Sequence, residues 1–73
     1  MAHKEVDVKP GELYVAIAPI FVYSDTHSKY THISIDTIIM ICKSRTVTVD
    51  VFANEELSWT SLGEFMSTTK RLM

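Results

Sequence analysis

The sequence contains a single cysteine, Cys42, and only two glycines and two prolines among its 73 residues. A disulfide framework requires pairs of cysteines, so no disulfide can form within the chain, and a reducing compartment is the natural interpretation. Two glycines are too few for a phosphate-binding loop, because such loops need several glycines. The scarcity of glycine and proline together predicts a compact domain with short connections.

The chain also lacks a strong excess of charge of either sign. Seven basic and nine acidic side chains give a formal net charge of −2. Sequence-independent binding to nucleic acid needs a basic face that displaces counterions, so the charge balance argues against nucleic acid as a partner. The alternative, a small β-barrel that binds nucleic acid, would need its basic residues to gather beside an aromatic residue. The residues of this possible basic patch are Lys43, Arg45, Lys70 and Arg71, together with Lys29.

Long hydrophobic runs are missing as well. The longest apolar-rich stretch, Leu13 to Tyr23, contains Pro19 and is about half as long as a membrane span. The N-terminal stretch "MAHKEVDVKPGEL" has no apolar core of the kind that a signal peptide needs. We therefore expect a protein that lies in the cytoplasm, away from membranes. Because the chain starts at a methionine and carries no tag, we also expect it to be a complete small reading frame.

Patterns of period two predict four or five short strands. Apolar residues at the odd positions of 12–18 predict a half-buried strand whose even positions, Tyr14 among them, face outward. Pro19 interrupts the ladder, so "IFVY" is a second short strand or the continuation of the first. Residues 24–32, "SDTHSKYTH", are rich in turn formers and predict a loop of roughly nine residues.

The segment 33–52 predicts an antiparallel hairpin. The run "IIMIC" is apolar on both phases, which is typical of a central strand covered on both faces. A short turn at "KSR" follows, and then Val47, Val49 and Val51 alternate with polar residues. β-branched residues dominate both strands and favour a pleated surface.

After the turn "ANEE" and a possible short strand "LSW", the period changes to that of a helix. Ser61 and Glu64 have the spacing of a capping box, and the pattern predicts a helix over about residues 62–69. Lys70 and Arg71 would lie at its negative end. Trp59 is expected to pack in the seam between this helix and the sheet.

These elements predict one mainly β domain with a short C-terminal helix. The polar N-terminal segment comprises residues 1–11, and a single domain comprises residues 12–73. Four or five short antiparallel strands on so short a chain curl into a small barrel or an open, curled sheet.

The order of elements resembles an SH3-like barrel. The strand "ELYVAI" precedes a long irregular loop, then "ISIDTIIMICKS", a tight turn, "TVTVDVF", a short strand and a helical tail. The layout also resembles small SH3-like proteins encoded by bacteriophages, in which a segment such as "LSWTSLGEF" closes the domain. This resemblance implies a non-enzymatic module that binds and modulates or inhibits a host protein, in the host cytoplasm. "ELYVAIAPI" keeps one tyrosine and the chain has no tryptophan pair, so binding of proline-rich peptides is not implied.

Metal and catalytic signatures are weak. His27 and His32 with Asp25 and Asp36 lack the close ligand pairs of a zinc site, so a solvated loop is the favoured interpretation and no cofactor is expected. Cys42 continues an apolar run, which favours a core cysteine over a nucleophile. Serines and threonines show no nucleophile-elbow pattern. Asp36 and Asp50 are explained by exposed strand positions, and we do not expect an enzyme.

Binding to another protein is the remaining hypothesis. Tyrosine combines a large contact area with a polar tip, which suits interfaces, although tyrosines would equally cover the open end of a barrel. The candidate partner-binding residues are Tyr14, Tyr23, His27, Tyr30 and His32. The stretch "THISIDTIIMI" carries one charge in eleven residues, which predicts a poorly guarded sheet edge. A homodimer through that edge, or a structural subunit that associates only with itself, is therefore a further alternative.

Overall fold

A computed structural model describes residues 8–73, and strands predominate among them. The elements are β1 (Leu13–Ala16), β2 (Ile20–Ser24), β3 (Lys29–Ile33), β4 (Ile38–Ser44), β5 (Thr48–Ala53), β6 (Glu56–Ser61), α1 (Leu62–Thr68) and β7 (Thr69–Arg71). The strands form one antiparallel sheet in the order β3-β2-β6-β5-β4-β1-β7. The mainly β fold with one short C-terminal helix is confirmed. The prediction of four or five strands was too low, because the turn-rich segment and the C-terminal tail also form strands.

One face of the sheet encloses the core. Buried apolar side chains come from β1 through β5 and from α1, and Phe65 of the helix is fully buried among them. Within the part of the chain that the structure describes, β3 and β7 are the two edges and do not pair with each other. The fold is therefore a curled, open sheet. Of the predicted polar segment 1–11, residues 1–7 lie outside the described residues, and Val8 is buried in the core.

The central β4–β5 hairpin is confirmed, but the prediction that β4 is covered on both faces is wrong. Ile39 and Ile41 are buried, whereas Ile38 and Met40 on the opposite face are 51% and 39% exposed. The apolar run therefore does not reflect burial on both sides. The register shifts between Ile41 and Lys43, so Cys42 is the extra residue of a bulge. β4 continues through the predicted turn "KSR" as far as Ser44, and Val47 lies in the connection that follows.

The inward phase of β1 is opposite to the prediction. Tyr14 and Ala16 are buried, whereas Leu13 and Val15 are only partly covered. A period of two cannot distinguish the two faces when both carry apolar residues, because a shift of one residue exchanges them. Packing decides the matter, since the ring of Tyr14 meets the ring of Phe65 in the core.

The predicted nine-residue loop is a hairpin. β2 and β3 pair over five residues, and only residues 25–28 form the turn. Ser24 is buried and its hydroxyl donates to Glu56 Oε2 at 2.8 Å, while the same hydroxyl accepts from the backbone N–H of His27. Ser28 has a φ of 53° and completes the turn. His32, predicted in the loop, lies in β3.

The helix begins as predicted. Ser61 is its N-cap, and its hydroxyl accepts from the backbone N–H of Glu64 at 3.0 Å. The helix ends at Thr68, and the chain becomes extended at Thr69. Lys70 and Arg71 therefore lie in β7, and no basic residue lies in the last turn of the helix. No helix within residues 8–73 has the length and apolar character needed to cross a membrane.

Candidate interaction surface

Three aromatic side chains lie side by side on the outer face of the sheet. Tyr30 on β3 is directly opposite Tyr23 on β2, and Tyr23 is directly opposite Trp59 on β6. The ring centroids of Tyr23 and Tyr30 are 5.0 Å apart at 75°, and those of Tyr23 and Trp59 are 5.8 Å apart at 45°. We call these three residues the aromatic row. Contacts between neighbouring rings restrict the motion of each side chain.

Strand alternation places the aromatic row outside the core. Ser58 and Thr60 of β6 are buried, so Trp59 between them points to the opposite face, and the prediction that it packs beside the helix is wrong. The Thr60 hydroxyl donates to the carbonyl oxygen of Phe21 at 2.8 Å and ties β6 to β2. This bond helps to hold in register two of the strands that present the row.

A second row crosses the same face. Leu13 on β1 is opposite Met40 on β4, Met40 is opposite Phe52 on β5, and Phe52 is opposite Leu57 on β6. Leu72 continues the line, since its backbone N–H donates to the carbonyl oxygen of Leu13 at 2.7 Å. We call these five residues the apolar row. Met40, Phe52, Leu57 and Leu72 are between 39% and 47% exposed.

The two rows meet on β6. Leu57 and Trp59 share the outer face two residues apart, which is about 7 Å along a strand. A polar cleft adjoins Trp59 and is lined by Asp25, Arg45, Thr48, Asp50 and Trp59. The guanidinium of Arg45 is 3.1 Å from the Asp50 carboxylate. The surface thus has an apolar centre with a charged border, which is the usual anatomy of a protein interface.

His27 has a structural environment in the β2–β3 turn. Its Nε2 is 2.9 Å from Glu56 Oε2, the same oxygen that accepts from the Ser24 hydroxyl. The imidazole therefore contacts the carboxylate and not the serine oxygen, so the three groups do not form a nucleophile with its base. They fasten the turn to the start of β6.

The residues considered for metal binding or catalysis do not come together in the part of the chain that the structure describes. Among residues 8–73 no group of three or more histidine, cysteine, aspartate or glutamate side chains could hold a metal ion. Burial, followed by the negative charge of Asp50, raises the pKa of the Cys42 thiol. A raised pKa disfavours the thiolate that a nucleophile requires. Asp36 lies in the β3–β4 connection, so the strand position predicted for it is wrong, and Asp50 lies on β5, where it pairs with Arg45.

The predicted basic residues do not gather into one patch. Lys70 is opposite Val15, which in turn is opposite Ile38, whereas Lys43 lies five residues further along β4, roughly 17 Å away. Arg45 is paired with Asp50, and Arg71 is 3.2 Å from Glu12 Oε2. Lys29 lies on β3, at the edge of the sheet opposite to β7. Two of the five charges therefore have carboxylate partners, and the other three lie on strands that are not neighbours.

The structure brings some of the predicted partner-binding residues together. Tyr23, Tyr30 and His32 share the outer face of the β2–β3 hairpin, and the rings of His32 and Phe21 are 6.4 Å apart. Tyr14 is 3% exposed, so its predicted outward position is wrong.

Sequence reasoning missed Trp59 and most of the apolar row. A signal was present, since Phe52 occupies the same phase as Thr48 and Asp50 in "TVTVDVF". An aromatic residue in the polar phase of an alternating strand marks an apolar site on the solvent face.

Comparisons of this chain with protein-family models, with curated proteins and with solved structures found no match.

Proposed function

We propose that this protein is a non-enzymatic interaction module that binds another protein through the outer face of its sheet. The observation that supports the proposal is the apolar row. Four of its side chains lie in direct register on neighbouring strands, and the backbone of Leu72 is hydrogen-bonded to Leu13 at the end of the line. Four of the five residues are well exposed. An antiparallel sheet with one solvated face usually carries polar residues there. A contiguous apolar patch on such a face is typical of an interaction site.

The aromatic row adds features of a binding hot spot. Tyrosine and tryptophan are enriched among the residues that dominate interface energetics. Because Tyr23 contacts both Tyr30 and Trp59, the side chains are already ordered, and less conformational entropy is lost on binding. The rings of Tyr23 and Tyr30 pack edge to face, and those of Tyr23 and Trp59 are tilted by 45°. A cleft beside them is lined by all three side chains and by Phe21. The three rings therefore offer an extended contact surface to a macromolecule.

The kind of partner follows from the charge distribution and the layout. Two of the five basic residues of the possible patch are paired with carboxylates and the others are dispersed over the sheet, which favours a protein over nucleic acid. The resemblance to small phage-encoded SH3-like proteins makes a host protein the partner that we propose, with modulation or inhibition of its activity as the outcome.

The test compares matched surface variants. Phe52→Lys places a charge in the apolar row, and Tyr30→Ser removes the exposed end of the aromatic row. Val47→Lys is the control, because Val47 is an exposed apolar residue in the β4–β5 connection, outside both rows. Each tagged protein is used to capture partners from a bacterial lysate, and any protein that distinguishes the variants is then purified and titrated.

We expect one captured protein to bind the wild type and Val47→Lys equally. Its affinity for Phe52→Lys should fall about tenfold or more, since loss of a central interface side chain typically costs more than about 1 kcal/mol. Equal binding by all variants, or equal loss in the control, would contradict the proposed surface.

A further inference from the structure

We propose that β3 is a self-pairing edge, through which two copies of this chain join their sheets into one continuous antiparallel sheet. The twofold axis of this dimer passes beside Thr31, the central residue of β3. The inference concerns the edge of the sheet. It shares Tyr30 with the aromatic row, whereas the apolar row lies outside the junction.

The two edges of the sheet differ in how well they are protected. β7 has three residues and carries Lys70 and Arg71. β3 has five residues with a single charge, Lys29, at one end, and it pairs with β2 without a bulge along its whole length. Short length, charges and bulges are the devices that prevent edges from pairing. β3 has none of them at its centre.

Among the described residues, none pairs with the outer side of β3. Within residues 8–73, backbone hydrogen bonds of residues 29–33 are confined to the pairing with β2. In an antiparallel ladder only alternate residues point their N–H and C=O groups toward a given neighbour, so the other groups of β3 face away from the sheet. These groups form a template for one more strand.

The side chains of β3 are complementary to a second copy. Antiparallel pairing centred on Thr31 places Tyr30 opposite His32 of the second copy, and Lys29 opposite Ile33 of the second copy. No like charges are then directly opposite, and the two lysines lie at opposite ends of the pairing, about 14 Å apart. Each copy supplies the same favourable aromatic pair, so the contact is self-complementary.

Ring contacts on the outer face already order the side chains of Tyr30 and His32 in the single chain. Tyr30 is held by Tyr23, and His32 is held beside Phe21. In the dimer the aromatic row therefore continues across the junction. Tyr30 of one copy is followed by His32 of the second copy and then by Phe21 of the second copy. Tyr30 and Phe21 are 74% and 68% exposed in the single chain, and the junction would cover part of that surface.

The experiment uses charges to test the register. Tyr30→Lys with His32→Lys places two pairs of like charges across the junction, whereas Tyr30→Lys with His32→Glu places two pairs of opposite charges there. Both double variants lose the same tyrosine, and both positions are exposed, so each should fold as the wild type does by circular dichroism. Sedimentation velocity over a range of protein concentrations measures the dimer dissociation constant.

We expect the wild type to form a concentration-dependent dimer. The Lys/Lys variant should dimerise about tenfold or more weakly than the Lys/Glu variant, because like charges directly opposite each other destabilise paired strands. A wild type that stays monomeric at every concentration, or two double variants with equal dissociation constants, would overturn the inference. Phe52→Lys should dimerise like the wild type, and loss of the dimer in that variant would instead assign self-association to the apolar row.

Discussion

The rings of Tyr14 and Phe65 meet edge to face in the core, with centroids 4.9 Å apart and planes at 67°. Tyr14 belongs to the first strand, and Phe65 is the buried residue of the helix. The contact therefore joins two elements that are about fifty residues apart in sequence, and it selects the inward face of β1. An edge-to-face pair of this kind adds about 0.5–1.5 kcal/mol to the free energy gained from burial.

Phe65→Ala should remove most of the attachment of the helix. Loss of a fully buried phenylalanine costs about 3–5 kcal/mol, a large part of the stability of so small a domain. We expect this variant to be largely unfolded at room temperature by near-ultraviolet circular dichroism. Phe65→Leu keeps most of the volume and should remain folded, with a lower urea midpoint. An unchanged midpoint in both variants would show that the helix does not complete the core.

Glu55→Gly should stabilise the protein. The β5–β6 connection has two residues, Asn54 and Glu55, with φ values of 55° and 61°. Positive φ at both positions is the mark of a type I′ turn, which favours Asn-Gly. Glycine adopts this conformation without the penalty of a Cβ atom, so the free energy of unfolding should rise by about 1 kcal/mol. Urea denaturation measures the change. Glu55→Ala is the control, since it removes the same charge but keeps the Cβ atom, and an equal gain there would assign the effect to charge.

Stability should decline at acidic pH partly through Glu12. The backbone N–H of Lys9 donates to its carboxylate and is the largest cause of a pKa below the ordinary 4.5, and the Tyr14 hydroxyl and the charge of Arg71 add to this lowering. A carboxyl whose pKa is lower in the folded state contributes stability above its unfolded pKa, and this contribution is lost as the pH falls through the folded value. Glu12→Gln should therefore weaken the pH dependence of the urea midpoint below pH 4.5.

The matched control for Glu12 is Glu55→Gln, because Glu55 is exposed and has no ion pair within residues 8–73. The control should keep the pH dependence of the wild type. A Glu12→Gln variant with an unchanged slope would show that its hydrogen bonds do not distinguish the folded from the unfolded chain.

Cys42 should react slowly with thiol reagents. Burial is the main cause of its raised pKa, and the Asp50 carboxylate is the second. At a given pH above neutrality the thiolate fraction is therefore below that of the urea-unfolded chain, and so is the rate of iodoacetamide alkylation. Asp50→Asn should accelerate the reaction, because it removes the negative charge that opposes ionisation.

Arg45→Gln is the control for that measurement, since it breaks the same Arg45–Asp50 ion pair but leaves the aspartate charge in place. Acceleration by both variants would assign the effect to loosening of the hairpin. Mass spectrometry of the alkylated protein gives both rates.

Much of the fold could be predicted from local pattern, and the candidate site much less. The β4–β5 hairpin and the Ser61 cap each depend on a few neighbouring residues, so their signals are local. The aromatic row depends on the pairing of Tyr23 with Trp59, which are thirty-six positions apart. Nothing in the local pattern around Trp59 indicates which strand lies beside it.

The sequence by itself determined the β4–β5 hairpin, the mainly β character and the start of one short helix near the C-terminus, because backbone preference and hydrophobic period act over a few residues. The tertiary structure alone decided which face of β1 turns inward, which strands become edges, and which exposed side chains become neighbours. Those outcomes depend on long-range packing around Phe65 and on strand order. A pattern of period two is unchanged when its faces are exchanged, so it carries no information about them.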